Sequence, residues 1–192
     1  MKKITRILTI AALVIIVCGL TTTVFAANKT KKAKNAYYKA LKNGSIDTDT
    51  NMWCALKDVD KNGIPELLIY LYGTKHEPCF YLYTYKNGKV VQLVKHNCEY
   101  TMYYNEKKHI FSEVGEGGGG WRIDYKLKKG KLVEIVRYEG YAEGGNTYQY
   151  KVVGSKKTPI SREKYMTLFN GAEKDSCLVK MSKSKLKKML KN

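Results

Sequence analysis

The stretch "DVDKNGIPEL", residues 58–67, places oxygen-bearing side chains at alternate positions ahead of an apolar run. Counted from the first residue, the candidate ligands at positions one, three, five, seven and nine are Asp58, Asp60, Asn62, the Ile64 carbonyl and Glu66. Hard oxygen ligands at this spacing, with Gly63 at position six for a sharp turn, suit a Ca²⁺ ion. The stretch predicts a calcium site; the alternative is a polar turn whose acids are only solvated.

The loop differs from an EF-hand because position twelve is Ile69, where that family needs a bidentate Glu. Its shorter pattern resembles the calcium hairpins of integrin-type FG-GAP repeats, with Asn62 and Glu66 in place of Asp. That resemblance implies a calcium loop joining two strands. Because Lys57 and Lys61 weaken the local field, we expect a dissociation constant on the order of 10⁻⁴ to 10⁻³ M.

Other catalytic patterns are scarce. The three histidines, His76, His96 and His109, have no metal-ligand spacing, and the chain contains no Gly-x-Ser-x-Gly nucleophile motif. The run "GEGGGG" matches Gly-x-Gly-x-x-Gly from Gly115, but it precedes a predicted strand and not a helix, which argues against nucleotide binding. The sequence therefore favours a non-catalytic protein over an enzyme.

A second candidate site lies around the glycine-rich loop. If Lys128 faces Lys131 across a hairpin turn, Trp121 faces Tyr138, and the loops "VGEGGGG" and "EGYAEGG" meet at one end of the hairpin. The acids expected at that end are Glu116, Glu139 and Glu143. Together with the aromatic pair they predict a carbohydrate platform or a peptide cleft. The alternative is an aromatic pair that covers a glycine-rich edge.

Four cysteines follow the N-terminal segment, at positions 54, 79, 98 and 177. An even number in an exported protein permits two disulfides, with three possible connectivities. If bridges form, Cys79 and Cys98 are a local pair across one hairpin, although a bulge is needed to bring them together, and Cys54 is left to join Cys177. The alternative is four free, buried thiols.

The rest of the chain predicts a mainly β fold with helices at both ends. Apolar spacing predicts a helix over 31–44, and two further helices over 162–170, opened by Pro159 and Ser161 and ended by Gly171, and over 183–192. The nine strands predicted between them cover 53–57, 66–72, 80–85, 89–95, 99–104, 108–114, 121–127, 131–138 and 147–153.

Two of the predicted hairpins repeat each other. The segments 83–95 and 125–137 align at an offset of 42 residues, sharing the first Tyr, a turn Gly and an apolar run. Two copies are too few to close a propeller, so we predict a meander of antiparallel hairpins. The fold class is therefore mainly β (α+β), a hairpin meander with an N-terminal helix and two C-terminal helices.

The N-terminal residues 1–26 have the basic start, apolar core and small-residue end of a secretory signal peptide, with cleavage expected after Ala26. The alternatives are a retained transmembrane anchor and a lipid-modified Cys18. Cleavage leaves residues 27–192 as a single β-rich secreted domain, and removing three basic residues lowers the formal charge from +18 to +15.

The excess of positive charge indicates an anionic partner. A secreted or envelope-associated protein with this charge would adhere to teichoic acid, other anionic wall polymers or glycans, whereas no motif indicates specific nucleic-acid binding. The signal segment, the "DVDKNGIPELLIY" hairpin and the closing "ISREKY" helix resemble a group of exported proteins of Gram-positive anaerobes. That resemblance implies a location and a fold but no activity. The alternative function is an exported hydrolase that uses the Gly- and Glu-rich cleft near Trp121.

Overall fold

The computed structural model describes residues 27–49, 52–73, 76–115, 120–143 and 146–191. The predicted signal segment, with Cys18, lies outside the described residues, and so does Glu116. Within the described part, the chain is mainly β, with an N-terminal helix and two C-terminal helices, as the sequence predicts. None of the described helices has the length and apolar character needed to cross a membrane.

The strands form two antiparallel sheets. Their bounds are β1 Met52–Lys57, β2 Glu66–Gly73, β3 His76–Lys86, β4 Lys89–Asn97, β5 Thr101–Asn105, β6 Ile110–Gly115, β7 Trp121–Lys128, β8 Lys131–Glu143, β9 Asn146–Val153, β10 Lys156–Pro159 and β11 Val179–Met181. Sheet 1 has the order β11-β1-β2-β3-β4, and sheet 2 has the order β10-β9-β8-β7-β6-β5. Neighbours along the chain pair as hairpins in both sheets, which confirms the predicted meander.

Helices cover the outer faces of the sheets. Residues 27–42 form helix α1, which packs with α3 (Lys183–Lys191) on sheet 1. Helix α2 (Arg162–Lys174) packs on β5, β6 and β9 of sheet 2, and the Arg122 guanidinium donates to the carbonyl oxygen of Leu168 in this helix. The order of layers is therefore helices, sheet 1, sheet 2 and helix.

The central strand β2 is buried on both faces. Leu68 and Tyr70 lie in the core between the sheets, whereas Leu67, Ile69 and Leu71 lie in the core between sheet 1 and the helices. A strand covered on both faces needs a continuous apolar run, since successive side chains point to opposite sides. The run "LLIYL" supplies it, which is why this strand is predictable from the sequence.

The two repeated hairpins have the same backbone. Each turn has two successive residues at positive φ, Asn87–Gly88 in β3–β4 and Lys129–Gly130 in β7–β8, as a two-residue hairpin turn requires. Each ladder also shifts register at the equivalent point, after Leu82 in one hairpin and after Asp124 in the other. The 42-residue repeat therefore includes a bulge that its sequence pattern did not predict.

The structure departs from the prediction at the ends of α2 and β8 and in two additional strands. Helix α2 begins after Ser161, whose side chain accepts from the Lys164 N–H, but it continues through Gly171 to Lys174. Strand β8 runs to Glu143 and takes in most of the predicted "EGYAEGG" loop, because β9 pairs with it along that length. The short strands β10 and β11 were not predicted, and both are largely exposed edges with little apolar pattern.

Candidate functional site

The predicted calcium loop joins β1 to β2, two antiparallel neighbours of sheet 1. The Asp58 carboxylate accepts the backbone N–H groups of Asn62 and Gly63 at 3.0 and 2.9 Å, one on each oxygen. The Asp60 carboxylate accepts the Asn62 backbone N–H at 3.2 Å and its side-chain amide at 2.9 Å. The chain therefore turns around its acids, and Gly63 at φ +80° permits the sharp turn at position six.

Glu66 closes the loop from inside the protein. Its side chain is fully buried, and it accepts the Val59 N–H and the Thr84 hydroxyl, both at 2.9 Å. Burial, reinforced by the nearby Asp58 and Asp60 charges, raises the pKa of Glu66 to about 7, against the opposing effect of its two hydrogen bonds. A carboxylate in this position is one that a cation would stabilise.

The donor set fits a hard cation. One carboxylate oxygen from each of Asp58, Asp60 and Glu66 lies within 4.8 Å of the other two. The Asn62 amide oxygen accepts the Ile64 N–H at 2.7 Å, so this residue also shapes the loop. Lys57 Nζ is paired with the Glu106 carboxylate at 2.5 Å, and Lys61 is an exposed residue within the loop. All-oxygen donors of this kind suit Ca²⁺.

The second predicted site changes composition because of the β7–β8 bulge. The register pairs Trp121 with Glu139 and Arg122 with Tyr138, so the predicted pairing of Trp121 with Tyr138 is wrong by one residue. Adjacent residues of a strand point to opposite faces. Tyr138 consequently lies on the side of sheet 2 away from Trp121, with its ring centre 5.9 Å from the Arg122 guanidinium carbon.

Trp121 instead packs edge-on against Tyr100, with ring centres 4.9 Å apart. The two rings cover Gly115 so closely that a Cβ there would lie 2.7 Å from Tyr100 and 2.8 Å from Trp121. This is the aromatic cover of a glycine edge that the sequence left as an alternative, formed with a different partner. Glu143 is the last residue of β8, and Glu116 lies outside the described residues.

A cavity of about 500 Å³ opens beside Trp121, between the ends of the two sheets. Its lining combines aromatic, basic and acidic side chains: His96, Asn97, Glu99, Glu113, Trp121, Ile123, Tyr125, Arg137, Glu139 and Tyr141, with Gly120 and Gly140. Of the five predicted ligand-binding residues, Trp121 and Glu139 lie on it. Its volume is in the range of small-molecule sites.

Glu113 is the most heavily bonded carboxylate of this cavity, and it is only 3% exposed. One oxygen accepts the N–H groups of Glu99 and Tyr100 at 2.6 and 3.3 Å, and the other lies 3.1 Å from His96 Nε2 and 3.2 Å from the Tyr125 hydroxyl. Burial alone would raise the pKa of Glu113, but the bonds from His96 and the two backbone groups hold it below its ordinary value.

The four cysteines are free thiols, so neither predicted disulfide is present in the structure. Cys79 lies in the core beneath the helices, whereas Cys98 lies in the core between the sheets. The bulge pairs Cys79 with Asn97, which places Cys98 one residue beyond that pair and on the opposite face of sheet 1. Cys54 and Cys177 are likewise divided between the two cores, and burial raises the pKa of both thiols.

Sequence spacing missed the grouping of His96, Cys98 and Glu113, whose donor atoms all lie within 4.8 Å of one another. His96 and Cys98 stand two residues apart at the end of β4, but Glu113 comes from β6 of the other sheet, so spacing along the chain does not join the three. The His-x-Cys spacing of the first two residues was the available signal.

No family model, curated protein or solved structure matches this chain. A function must therefore be argued from the charges, the donor groups and the cavity of the protein itself.

Proposed function

We propose that the protein is an exported, non-catalytic module that adheres to an anionic polymer of the cell envelope, such as teichoic acid, and is stabilised by calcium. Support for the location comes from the signal-like residues 1–26 and from the resemblance of the loop to calcium hairpins of extracellular proteins. Support for the partner comes from the charge of helices α1 and α3.

The observation that carries the proposal is the distribution of lysines on these helices. Neither 27–42 nor 183–191 contains an Asp or Glu, whereas together they contain eleven lysines. The two helices lie side by side on sheet 1, since Lys191 Nζ is 5.3 Å from the ring centre of Tyr38. Their exposed lysines, here called the lysine face, are Lys29, Lys31, Lys32, Lys39, Lys42, Lys183, Lys185, Lys188 and Lys191.

The apolar side of α3 explains why these charges are held on one surface. Leu186 and Leu190 are buried in the core beneath the helices, whereas Lys183, Lys185, Lys188 and Lys191 are exposed on the rest of the helix. A surface of one sign attracts a polyanion over a distance that salt limits to roughly 10 Å at 0.1 M. Binding through the lysine face should therefore weaken steeply as salt is added.

The test is co-sedimentation of the purified protein with isolated cell walls at increasing salt. Changing Lys31, Lys32, Lys185 and Lys188 to Gln should lower wall affinity by about tenfold at low salt, because it removes four charges from one face. The matched control changes Lys126, Lys128, Lys131 and Lys151 to Gln. These four are also exposed, but they lie on sheet 2.

The two variants separate a specific surface from net charge. Equal losses in both would show that only total charge matters. Retention of the wild type on walls at about 0.5 M salt would overturn electrostatic adhesion altogether.

An exported hydrolase is the second candidate, because Glu99, Glu113 and Glu139 all line the cavity beside Trp121. A glycoside hydrolase needs one carboxyl that stays protonated to donate to the leaving group. Glu113 is unsuited to that role because its bonds lower its pKa, and Glu139 is engaged by the Tyr141 hydroxyl at 2.7 Å and by Lys157 at 3.4 Å. We expect no reducing ends to be released when the protein is incubated with purified walls; release abolished by Glu113→Gln would support the hydrolase.

A further inference from the structure

The grouping of His96, Cys98 and Glu113 joins the two sheets at the inner end of the cavity. His96 belongs to β4 of sheet 1, Cys98 follows that strand, and Glu113 belongs to β6 of sheet 2. His96 Nε2 and Glu113 Oε2 are 3.1 Å apart, and the Cys98 sulfur lies within 4.8 Å of both residues' donor atoms. One imidazole, one thiol and one carboxylate therefore face a common point.

The backbone explains why the three meet. The bulge in β3–β4 pairs His96 with Phe80, a residue of the core between the sheets, so the imidazole points to sheet 2. Cys98 stands two residues later on the same side, and its N–H is fixed by the Pro78 carbonyl at 2.8 Å. Glu113 lies on the same face of β6 as the buried Phe111, so its side chain points toward sheet 1.

The surrounding bonds orient the carboxylate. The N–H groups of Glu99 and Tyr100 bind one oxygen of Glu113, which directs the other to His96 and the Tyr125 hydroxyl. The Cys98 thiol makes a long contact of 3.5 Å with the His96 carbonyl oxygen. Backbone and hydroxyl donors around a ligating carboxylate are the outer shell that metal sites in proteins use to fix their ligands.

We propose that His96, Cys98 and Glu113 bind a zinc ion, with the fourth coordination position open to the cavity. Nitrogen, sulfur and oxygen donors together suit a borderline ion, whereas a hard cation such as Ca²⁺ takes oxygen alone. Zinc bonds of about 2.0 to 2.3 Å at tetrahedral angles place ligand atoms roughly 3.3 to 3.6 Å apart. The His96 Nε2–Glu113 Oε2 distance of 3.1 Å is slightly shorter than this range, and the Cys98 sulfur, within 4.8 Å of the other donor atoms, has to approach them by about 1.5 Å at most.

Zinc binding releases one proton from the Cys98 thiol. The Cys98 Sγ–H bond breaks, the proton passes to solvent, and the thiolate takes its place on the metal. His96 is about one-quarter exposed through its side chain, which provides an entry path from the cavity. Because the ligands come from both sheets, the ion would hold them together while a water or a ligand in the cavity completes its coordination. The proposal does not depend on the lysine face or the calcium loop.

The test is a titration of the metal-free, purified full-length protein with Co²⁺, which takes zinc-like sites and absorbs in the near ultraviolet when bound to thiolate. We expect one equivalent of cobalt to produce this absorption and equimolar Zn²⁺ to abolish it, while excess Ca²⁺ leaves it unchanged. Cys98→Ser should eliminate it. Cys79→Ser is the matched control, because that thiol is equally buried, at 5% exposure, but faces the helices.

Glu113→Gln provides a second variant, whose amide keeps the shape of the side chain. We expect this substitution to weaken cobalt binding at least tenfold with the fold retained. Far-ultraviolet circular dichroism establishes that each variant is folded. Wild-type protein without the absorption, or folded Cys98→Ser protein with it, would overturn the zinc site. If Cys98→Ser does not fold, retention of full cobalt affinity by folded Glu113→Gln overturns it instead.

Discussion

The β1–β2 loop and the His96–Cys98–Glu113 group are two donor clusters built in opposite ways. The loop takes Asp58, Asp60 and Glu66 from nine consecutive residues, all with oxygen donors, and Asp60 is exposed. The other group takes a nitrogen from His96 in β4, a sulfur from Cys98 just after β4 and an oxygen from Glu113 in β6 of the other sheet, and Cys98 and Glu113 are buried. A local cluster needs only a short turn to form. A cluster drawn from two sheets forms only when the strands of each sheet are correctly paired and the sheets pack against each other.

Of the changes considered, Glu113→Ala should cause the largest loss of stability in the metal-free protein. Removing this carboxylate leaves His96, the N–H groups of Glu99 and Tyr100, and the Tyr125 hydroxyl without their shared partner. We expect a loss of about 3–5 kcal/mol in the free energy of unfolding, measured by urea denaturation in chelator.

The control for that loss is Glu134→Ala, which breaks an ion pair with Arg137 at 3.0 Å whose side chains are both about 40% exposed. An exposed pair contributes about 1 kcal/mol or less. Similar losses in the two variants would mean that the bonds around Glu113 do not hold the sheets together.

The next largest effect is the pH dependence of stability that comes from Glu66, the buried carboxyl of the β1–β2 loop. The pKa of Glu66 is about 7 in the folded protein, above the ordinary 4.5, chiefly because it is buried. Its contribution to stability is therefore fully present below pH 4.5 and is lost as the pH rises through about 7.

In chelator, the wild type should lose roughly 3 kcal/mol relative to Glu66→Gln between pH 4.5 and 8. The variant is a suitable reference because its amide can bond to the Val59 N–H and the Thr84 hydroxyl at any pH. Thermal unfolding at a series of pH values measures the difference. A constant difference would show that Glu66 titrates normally and would weaken the loop as a cation site.

Calcium should have a smaller effect on stability, and this effect distinguishes the proposed calcium site from the proposed zinc site. At ten times its dissociation constant, calcium adds about 1.4 kcal/mol of stability, which raises the melting temperature of the wild type by a few degrees relative to chelator. Asp60→Ala should abolish this rise, while Cys98→Ser should keep it. A rise that persists in Asp60→Ala would place the calcium elsewhere in the protein, and a wild type that does not respond would make the loop a polar turn.

The smallest effect should come from Lys61→Ala. Lys61 stands in the loop as an exposed positive charge, so its removal should tighten calcium binding by a factor of about two to three at physiological salt. Isothermal titration calorimetry with calcium gives the dissociation constant, and Lys129→Ala, in the β7–β8 turn of sheet 2, serves as the control. Weaker binding would indicate that Lys61 matters for the shape of the loop, where its φ is +62°.

Much of the fold could be predicted because it depends on neighbours in the chain. The apolar run of β2, the glycines of the two repeated hairpin turns and the Ser161 cap each act over a few residues. The predicted end of α2 at Gly171 was wrong because glycine weakens a helix only modestly. The helix continues for three residues beyond it, to Lys174.

The sequence alone determined the oxygen donors, spacing and turn of the β1–β2 loop, the strand pattern and the excess of lysine. The tertiary structure decided which faces those strands present. The bulges after Leu82 and Asp124 each displace a register by one residue, and one residue moves a side chain to the opposite face of a sheet. That displacement separated Trp121 from Tyr138 and brought His96 to Glu113, because pairing between strands depends on packing along the whole ladder.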